Sequence, residues 1–210
     1  MPIQLVNHRR ERLPLHSPAD FEKHLEVQYL SHLAFSEPVF EWDIRQRVSK
    51  ALGKNQISPQ QKWLGQYYAK EIREGIGLDL TISWIDERIG YGVWTNRDIP
   101  ARTYIGEYTG IVRKRRFWGR WKNFYCFTYN IGEGRRSPYT VDAEKAGNYT
   151  RYINHAEVEN IEAASVYCDG LMHIIFYAIK NIPAGTQLCY DYGSDYWSKR
   201  RAPLVLVDPE

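Results

Sequence analysis

Residues 151–160 read RYINHAEVEN, and the reading of this stretch decides the fold. An aromatic–aliphatic pair, Tyr152-Ile153, runs into the polar pair Asn154-His155. Glu157 and Glu159 then follow where a strand would carry apolar residues. A polar pair directly behind a half-buried apolar pair needs hydrogen-bond partners, because an unpaired polar group out of water is costly. Those partners must come from elsewhere in the chain, so other segments are expected to fold over this one.

On both sides of it the chain has the texture of short strands. LDLTISWI (78–85), TYIGEYTGIV (103–112), YCFTYNI (125–131), YTVDA (139–143) and LMHIIFYAI (171–179) are rich in Thr, Ile, Val, Tyr and Trp. Gly, Pro, Asn and Asp punctuate them, which is strand and turn chemistry. The first third reads as helical instead. Ser17-Pro18 with Asp20 supplies an N-cap, a proline at the first helical position and an early acid. Phe21, Leu25, Leu30 and Leu33 then recur at roughly helical spacing. A second helix is expected from Val39 to Leu52, stopping at Gly53. A third opens at Ser58-Pro59, where Gln61 completes a capping box, and runs to about Glu74. No internal repeat is visible. The organisation predicted is an α+β chain: a helical N-terminal region at 1–77, a β-rich domain at 78–197 and a tail at 198–210.

With 210 residues the chain has room for one medium domain and an appendage. Its 16 tyrosines and 7 tryptophans are rings that fill a core or line a pocket. Cys126, Cys168 and Cys189 stand far apart and are odd in number, which argues for reduced thiols and against a disulfide framework or a Cys-rich zinc cluster. His8, His16, His24 and His32 recur every eight residues, which is no ligand spacing, so no metal is expected. The opening MPIQLVNHRRERL lacks the apolar run of a secretory signal, and no stretch approaches a membrane span. A cytoplasmic location in the producing cell is expected, with no membrane partner.

Four blocks of the β-rich part carry more than texture. They are ERIGYGVWTNRDIPARTYIGEYTG (87–110), YCFTYN (125–130), VDAEKAGNYTRYINH (141–155) and AIKNIPAGTQLCYDYG (178–193). In this order they resemble a SET domain, the fold of protein lysine methyltransferases that use S-adenosylmethionine. The chain is similar to the short bacterial SET proteins, some from bacteria that live inside eukaryotic cells. That adds an alternative location, the nucleus of a host cell. The resemblance implies small curved sheets with a pseudo-knot, in which the RYINH segment passes beside the YDYG segment. It implies that Asn154 and His155 are buried there and grip the methyl donor.

Methyl transfer from a sulfonium to an amine is an in-line displacement, needing neither a metal nor a covalent intermediate. The protein aligns the partners, delivers a neutral amine and excludes water. An aromatic channel favours the neutral amine by desolvation, and fixed oxygen dipoles suit the cationic methyl. Position by position, the resemblance makes Tyr192 the catalytic tyrosine, with Tyr108 in the channel wall and Tyr125 at the donor pocket. Ile89, Gly90 and Tyr91 match the turn whose backbone meets the donor's amino-acid end. Tyr196 and Trp197 match aromatics near its adenine. Tyr190 matches the position that sets the number of methyl groups added, and a tyrosine there favours monomethylation.

Some residues depart from the family pattern. Ala156 replaces a common Ser, Glu157 and Glu159 replace Cys and Pro, and Gln187 stands where Glu is usual. The tail SKRRAPLVLVDPE has no cysteine for a zinc-binding closing segment, which leaves Leu204 to Val207 or the N-terminal helices to close the lysine channel. Residues 113–122, RKRRFWGRWK, carry six basic residues and no acid, and Arg135-Arg136 and Lys199-Arg200-Arg201 add to them. These runs read either as a solvated face or as a DNA footprint. Three functions are open on this reading. They are methylation of a histone or histone-like protein, methylation of a non-chromatin protein, and a catalytically silent scaffold on chromatin or nucleoid DNA. The N-terminal helices are open to a role as homodimer surface, substrate platform or support.

Overall fold

In the computed structural model, residues 3–115, 123–132 and 137–197 are described, except the side chains of Asp195 and Trp197. In chain order the first third holds β1 (Ile3–Val6), β2 (Arg12–Leu15), α1 (Pro18–Leu25), β3 (Gln28–Tyr29), β4 (Ala34–Phe35), α2 (Pro38–Gly53), α3 (Pro59–Tyr67) and α4 (Ala69–Glu74). Then come β5 (Leu80–Asp86), β6 (Gly90–Thr95), β7 (Tyr104–Glu107), β8 (Ile111–Lys114), β9 (Cys126–Thr128) and β10 (Tyr139–Asp142). The rest is β11 (Ala146–Gly147), a 3-10 turn (Tyr149–Tyr152), β12 (Asn154–His155), β13 (Ile161–Cys168), β14 (Leu171–Ala178), β15 (Cys189–Tyr190) and α5 (Ser194–Trp197).

The helix starts follow local chemistry. Ser17 Oγ accepts from the Asp20 amide while Asp20 Oδ2 accepts from the Ser17 amide, and Ser58 and Gln61 repeat the exchange at α3. The ends follow tertiary demand. Glu26 turns left-handed at φ 55°, so α1 stops before Leu30 and Leu33. The chain is then drawn into β3, which pairs with β11, and β4, which pairs with β8. The expected third helix is two, parted at Tyr68. The first third also contributes strands: β1 pairs antiparallel with β2 and parallel with β5.

Three sheets result, ordered β2-β1-β5-β6, β4-β8-β10-β9 and β13-β14-β7, with two-stranded pairs β11-β3 and β12-β15. One apolar core joins Leu5, Phe21 and Ile44 of the first third to Ile82, Ile105, Val141 and Phe176 of the β-rich part. A second cluster packs Leu64, Tyr68 and Ile72 of α3 and α4 against Tyr104, Val166 and Ile175. The β12–β15 pairing sets Asn154 beside Cys189 and His155 beside Tyr190, which is the crossing of RYINH and YDYG.

One short echo in the sequence is brought together by the fold. The turns at Asp98-Ile-Pro-Ala and Asn181-Ile-Pro-Ala lie back to back, and Ile99 and Ile182 exchange both backbone hydrogen bonds at 2.8 Å. Each turn's acidic or amide side chain caps the other: Asp98 Oδ1 accepts from Ala184 N–H (2.8 Å), and Asn181 Oδ1 from Ala101 N–H (2.9 Å). This reciprocal clasp fixes the segment from which β15 departs.

Candidate active site

The crossing is locked from behind by one buried amide. Asn160 donates from Nδ2 to Gln187 O (2.7 Å) and accepts at Oδ1 from Cys189 N–H (3.0 Å). Cys189 O in turn accepts from Asn160 N–H at 3.1 Å. Three bonds to one residue leave β15 little freedom. In front of this lock, Tyr192 is tied twice to the RYINH segment. Its hydroxyl donates to Ile153 O (2.8 Å), and its amide donates to His155 Nδ1 (3.1 Å). With Nδ1 accepting, the ring proton of a neutral His155 sits on Nε2.

Asn154 carries the opposite connection. Its Nδ2 donates to Tyr91 O (3.1 Å), fastening RYINH to the turn that opens β6. That turn is shaped by Asp86, whose Oδ1 accepts from the amides of Arg88 and Ile89, both at 2.8 Å. At Gly92 any side chain would collide, since an added Cβ would lie 2.7 Å from Gln187 Nε2 and 2.8 Å from the Trp94 ring. Asn154 and His155 are half-buried rather than buried, a correction to the expectation. The cause is the loop after them, where Glu157 and Val158 run out into solvent and leave this edge of the crossing uncovered.

Around Tyr192 the aromatic side chains converge. Tyr190 lies 4.7 Å from it and Tyr196 4.6 Å, centroid to centroid. Phe127 stands nearly parallel to Tyr190 at 6.3 Å and 5.2 Å from Tyr108, while Phe176 backs Tyr190 at 4.9 Å. The Tyr108 hydroxyl donates to Tyr125 O (2.8 Å). Burial pushes the phenols of Tyr108, Tyr190 and Tyr192 well above their ordinary value, and neighbouring tyrosines push the same way. All three stay protonated at any physiological pH. The hydroxyl protons of Tyr108 and Tyr192 are donated to backbone carbonyls, and a hydroxyl oxygen so committed meets a cationic group only as an acceptor.

Thus Tyr108, Tyr190, Tyr192, Tyr196, Asn154, His155 and Tyr91 form one connected cluster, and Tyr125 joins it through Tyr108. Ile89 and Gly90 sit at its edge in the β6 turn. The Trp197 side chain lies outside the described residues. Sequence reasoning missed Phe127, Phe176 and Arg151 as neighbours of this cluster. Phe127 carries a readable signal, standing two residues after Tyr125 on the same side of a strand. Arg151 carries none, because its carbonyl partners lie seven and eight residues back and the Tyr125 ring further still, with no one helix or strand spanning them.

The basic stretch is also altered. Arg113 turns inward, its Nε donating to Asp142 Oδ2 (2.6 Å), and Lys114 Nζ sits over the Phe40 ring at 5.2 Å. Arg113 is thereby withdrawn from the solvated charge run, while Lys114 remains exposed. The residues from Arg116 to Lys122, with Arg135-Arg136 and the tail, lie outside the described residues. Among the described residues no three His, Cys, Asp or Glu side chains gather as a metal site, and no helix is long and apolar enough to cross a membrane.

Comparison with known proteins bears on the same residues. Residues 90–193 match the family model described as SET domain. The chain is 32% identical over 124 residues to the H3 lysine-9 specific histone-lysine N-methyltransferase SUVH5 of Arabidopsis thaliana, covering 57% of this chain and 15% of that protein. It is 36% identical over 122 residues to the histone-lysine N-methyltransferase EZH2 of Chaetomium thermophilum, covering 52% of this chain and 8% of that one. Among solved structures, an active polycomb repressive complex 2 in the stimulated state aligns at a TM-score of 0.50 and 28% identity, over 60% of this chain and 16% of that chain. The chain therefore spans less than a fifth of each of these relatives.

Proposed function

We propose, from the premise that residues 90–193 are a SET domain, that the chain transfers a methyl group from S-adenosylmethionine to the side-chain amine of a protein lysine. One observation carries this reading. Two tyrosine oxygens, of the buried Tyr108 and the half-buried Tyr192, have their protons committed to backbone carbonyls beside the RYINH crossing. A neutral hydroxyl oxygen held in that way is preorganised as an acceptor for a positively charged methyl group.

In such a reaction the lysine nitrogen's lone pair forms the new N–C bond while the S–C bond breaks. The electron pair of the broken bond remains on sulfur, and the surplus proton on nitrogen leaves to water. The aromatic walls formed by Tyr108, Phe127 and Tyr190 exclude water and favour the neutral amine before attack. Asn154, His155 and the β6 turn at Ile89, Gly90 and Tyr91 suit the donor's polar end, since they are half-buried polar or backbone groups held by the crossing. Donor recognition through Tyr125, Tyr196 and Trp197 belongs to the same reading.

A histone or histone-like basic protein is the substrate class favoured here, because the relatives above are named histone-lysine methyltransferases. Monomethylation is the expected outcome, with Tyr190 crowding a methylated amine. DNA contact through the basic stretches and self-association through the N-terminal helices accompany this reading. The exposed Val39, Trp42, Trp63 and Tyr67 support an interaction face on those helices. The test is incubation with labelled S-adenosylmethionine and two pools, core histones and a bacterial extract, beside a Tyr192→Phe control. Label on a protein band that vanishes in the control supports the proposal, and the labelled pool names the substrate class. Absence of both label and donor binding sinks it in favour of a silent scaffold.

A further inference from the structure

Arg151 is a buried cation, 8% exposed, with no carboxylate partner among the described residues. Burying a guanidinium without an acid is costly, so its position calls for a reason. Its Nε donates to Ala143 O (2.6 Å) and a terminal nitrogen to Glu144 O (3.1 Å). Asp142, the residue before Ala143, is already taken by Arg113 and Asn123. The guanidinium lies over two rings, 3.8 Å from the centroid of Tyr125 and 4.6 Å from that of Tyr152.

Resting on the methyltransferase reading, we infer that Arg151 is a positioning residue that sets the Tyr125 side of the donor pocket. It does so by two routes that meet at Tyr125. The first is direct, the cation pressed against the ring face. The second runs through Ala143, whose carbonyl Arg151 holds and whose amide donates to Tyr125 O at 2.9 Å. The Tyr125 carbonyl also accepts the Tyr108 hydroxyl at 2.8 Å. Tyr125 has a third tether, its amide donating to Asn123 Oδ1 at 2.8 Å. Among the described residues Arg151 is the cation that lies against the ring face, whose other side belongs to the edge of the apolar core. Without it, the ring can swing about its first side-chain torsion while the backbone stays in place.

A double-mutant cycle on the full chain tests this. Donor KM is measured at saturating protein substrate for wild type, Arg151→Met, Tyr125→Ala and the double variant, with S-adenosylhomocysteine binding by calorimetry alongside. Donor KM does not depend on the folded fraction, so a variant that only loses stability leaves it unmoved. Arg151→Met is expected to raise donor KM about tenfold, the scale of a desolvated cation–ring contact. Tyr125→Ala raises it at least as much, and the double variant adds nothing further. Arg151→Lys, which keeps the charge over the ring, stays within about threefold of wild type. Should the Met variant fail to fold, Arg151→Gln, which also removes the charge from over the ring, runs the same cycle with the same expectation. An unchanged donor KM overturns the inference, as do penalties that multiply in the double variant. A wild type that neither binds nor transfers overturns the methyltransferase reading, and this inference with it.

Discussion

Replacing Gly65 with alanine should destabilise the protein, against the preference of the helix it sits in. In an exposed helix interior the exchange stabilises by about 1 kcal/mol. Here α3 lies so close to β13 that an added Cβ would overlap the carbonyl oxygen of Tyr167 and stand 2.6 Å from its carbon. Non-bonded heavy atoms rest at about 3.5 Å, and the overlap with the oxygen is deeper than that with the carbon, so α3 would have to retreat by about 1.5 Å. Neither side of the contact is a flexible side chain that could give way. A retreat of that size loosens Leu64 and Tyr68 from Val166 and Ile175. Overpacking of this kind costs roughly 1–3 kcal/mol, and the lost packing behind it brings the expected total to the top of that range. For a chain of this size that lowers Tm by roughly 5–12 °C. Gly53→Ala is the control, since nothing lies within 4 Å of its added Cβ and the variant should match or slightly exceed wild-type stability. Urea unfolding of both variants followed by circular dichroism reads the difference. A Gly65→Ala midpoint at or above wild type would refute the packing argument.

Three further outcomes follow from the site. Tyr192→Phe removes one hydrogen bond, to Ile153 O. It should cost only about 0.5–1.5 kcal/mol of stability, while methyl transfer falls by about a hundredfold or more with donor affinity nearly unchanged. A fall in both transfer and donor affinity would assign Tyr192 to binding instead. Asn160→Ala leaves the Cys189 amide and the Gln187 carbonyl short of partners. It should cost about 2–4 kcal/mol and weaken donor binding and transfer together; unchanged calorimetric binding would show that the crossing holds without it. High pH should destabilise the fold. Burial raises Tyr108, Tyr190 and Tyr192 well above 10 and pushes Tyr68 and Tyr152 up to about 12. Unfolded tyrosines lose protons near pH 10, so above that the unfolded chain binds fewer protons than the folded one. Stability is therefore held below about pH 10 and lost as pH rises toward the folded values. Urea midpoints at about pH 8 and about pH 11 check this, and equal midpoints would contradict it.

What the sequence made legible was chemistry local to a few residues. The capping boxes at Ser17 and Ser58 are complete within four positions, and both formed. Leu30 and Leu33 extended the helical period equally well, yet pairing of β3 and β4 with distant strands overrode that weak preference. Pro14 hid β2, because a proline suits only an edge strand, and an edge is where β2 lies. At the site, motif order brought out Tyr192, Asn154 and His155, whereas the partners that hold them depend on the crossing of residues 154–155 with 189–190. The lock at Asn160 and the ring contact of Arg151 join segments far apart in the chain, and no periodicity records such contacts.

The paired turns at Ile99 and Ile182 have a consequence for residues they do not touch. They close a loop of 83 residues, the difference between those two positions, and the loop contains Tyr108, Tyr125 and RYINH. Bringing its ends together costs roughly 4 kcal/mol of chain entropy on a (3/2)RT ln n scaling, and β15 can reach β12 only from that closed base. Tyr192 is carried by the segment that leaves this closure to pair with β12. A substitution that opens the clasp should therefore be felt at Tyr192 and RYINH, although neither touches the two turns.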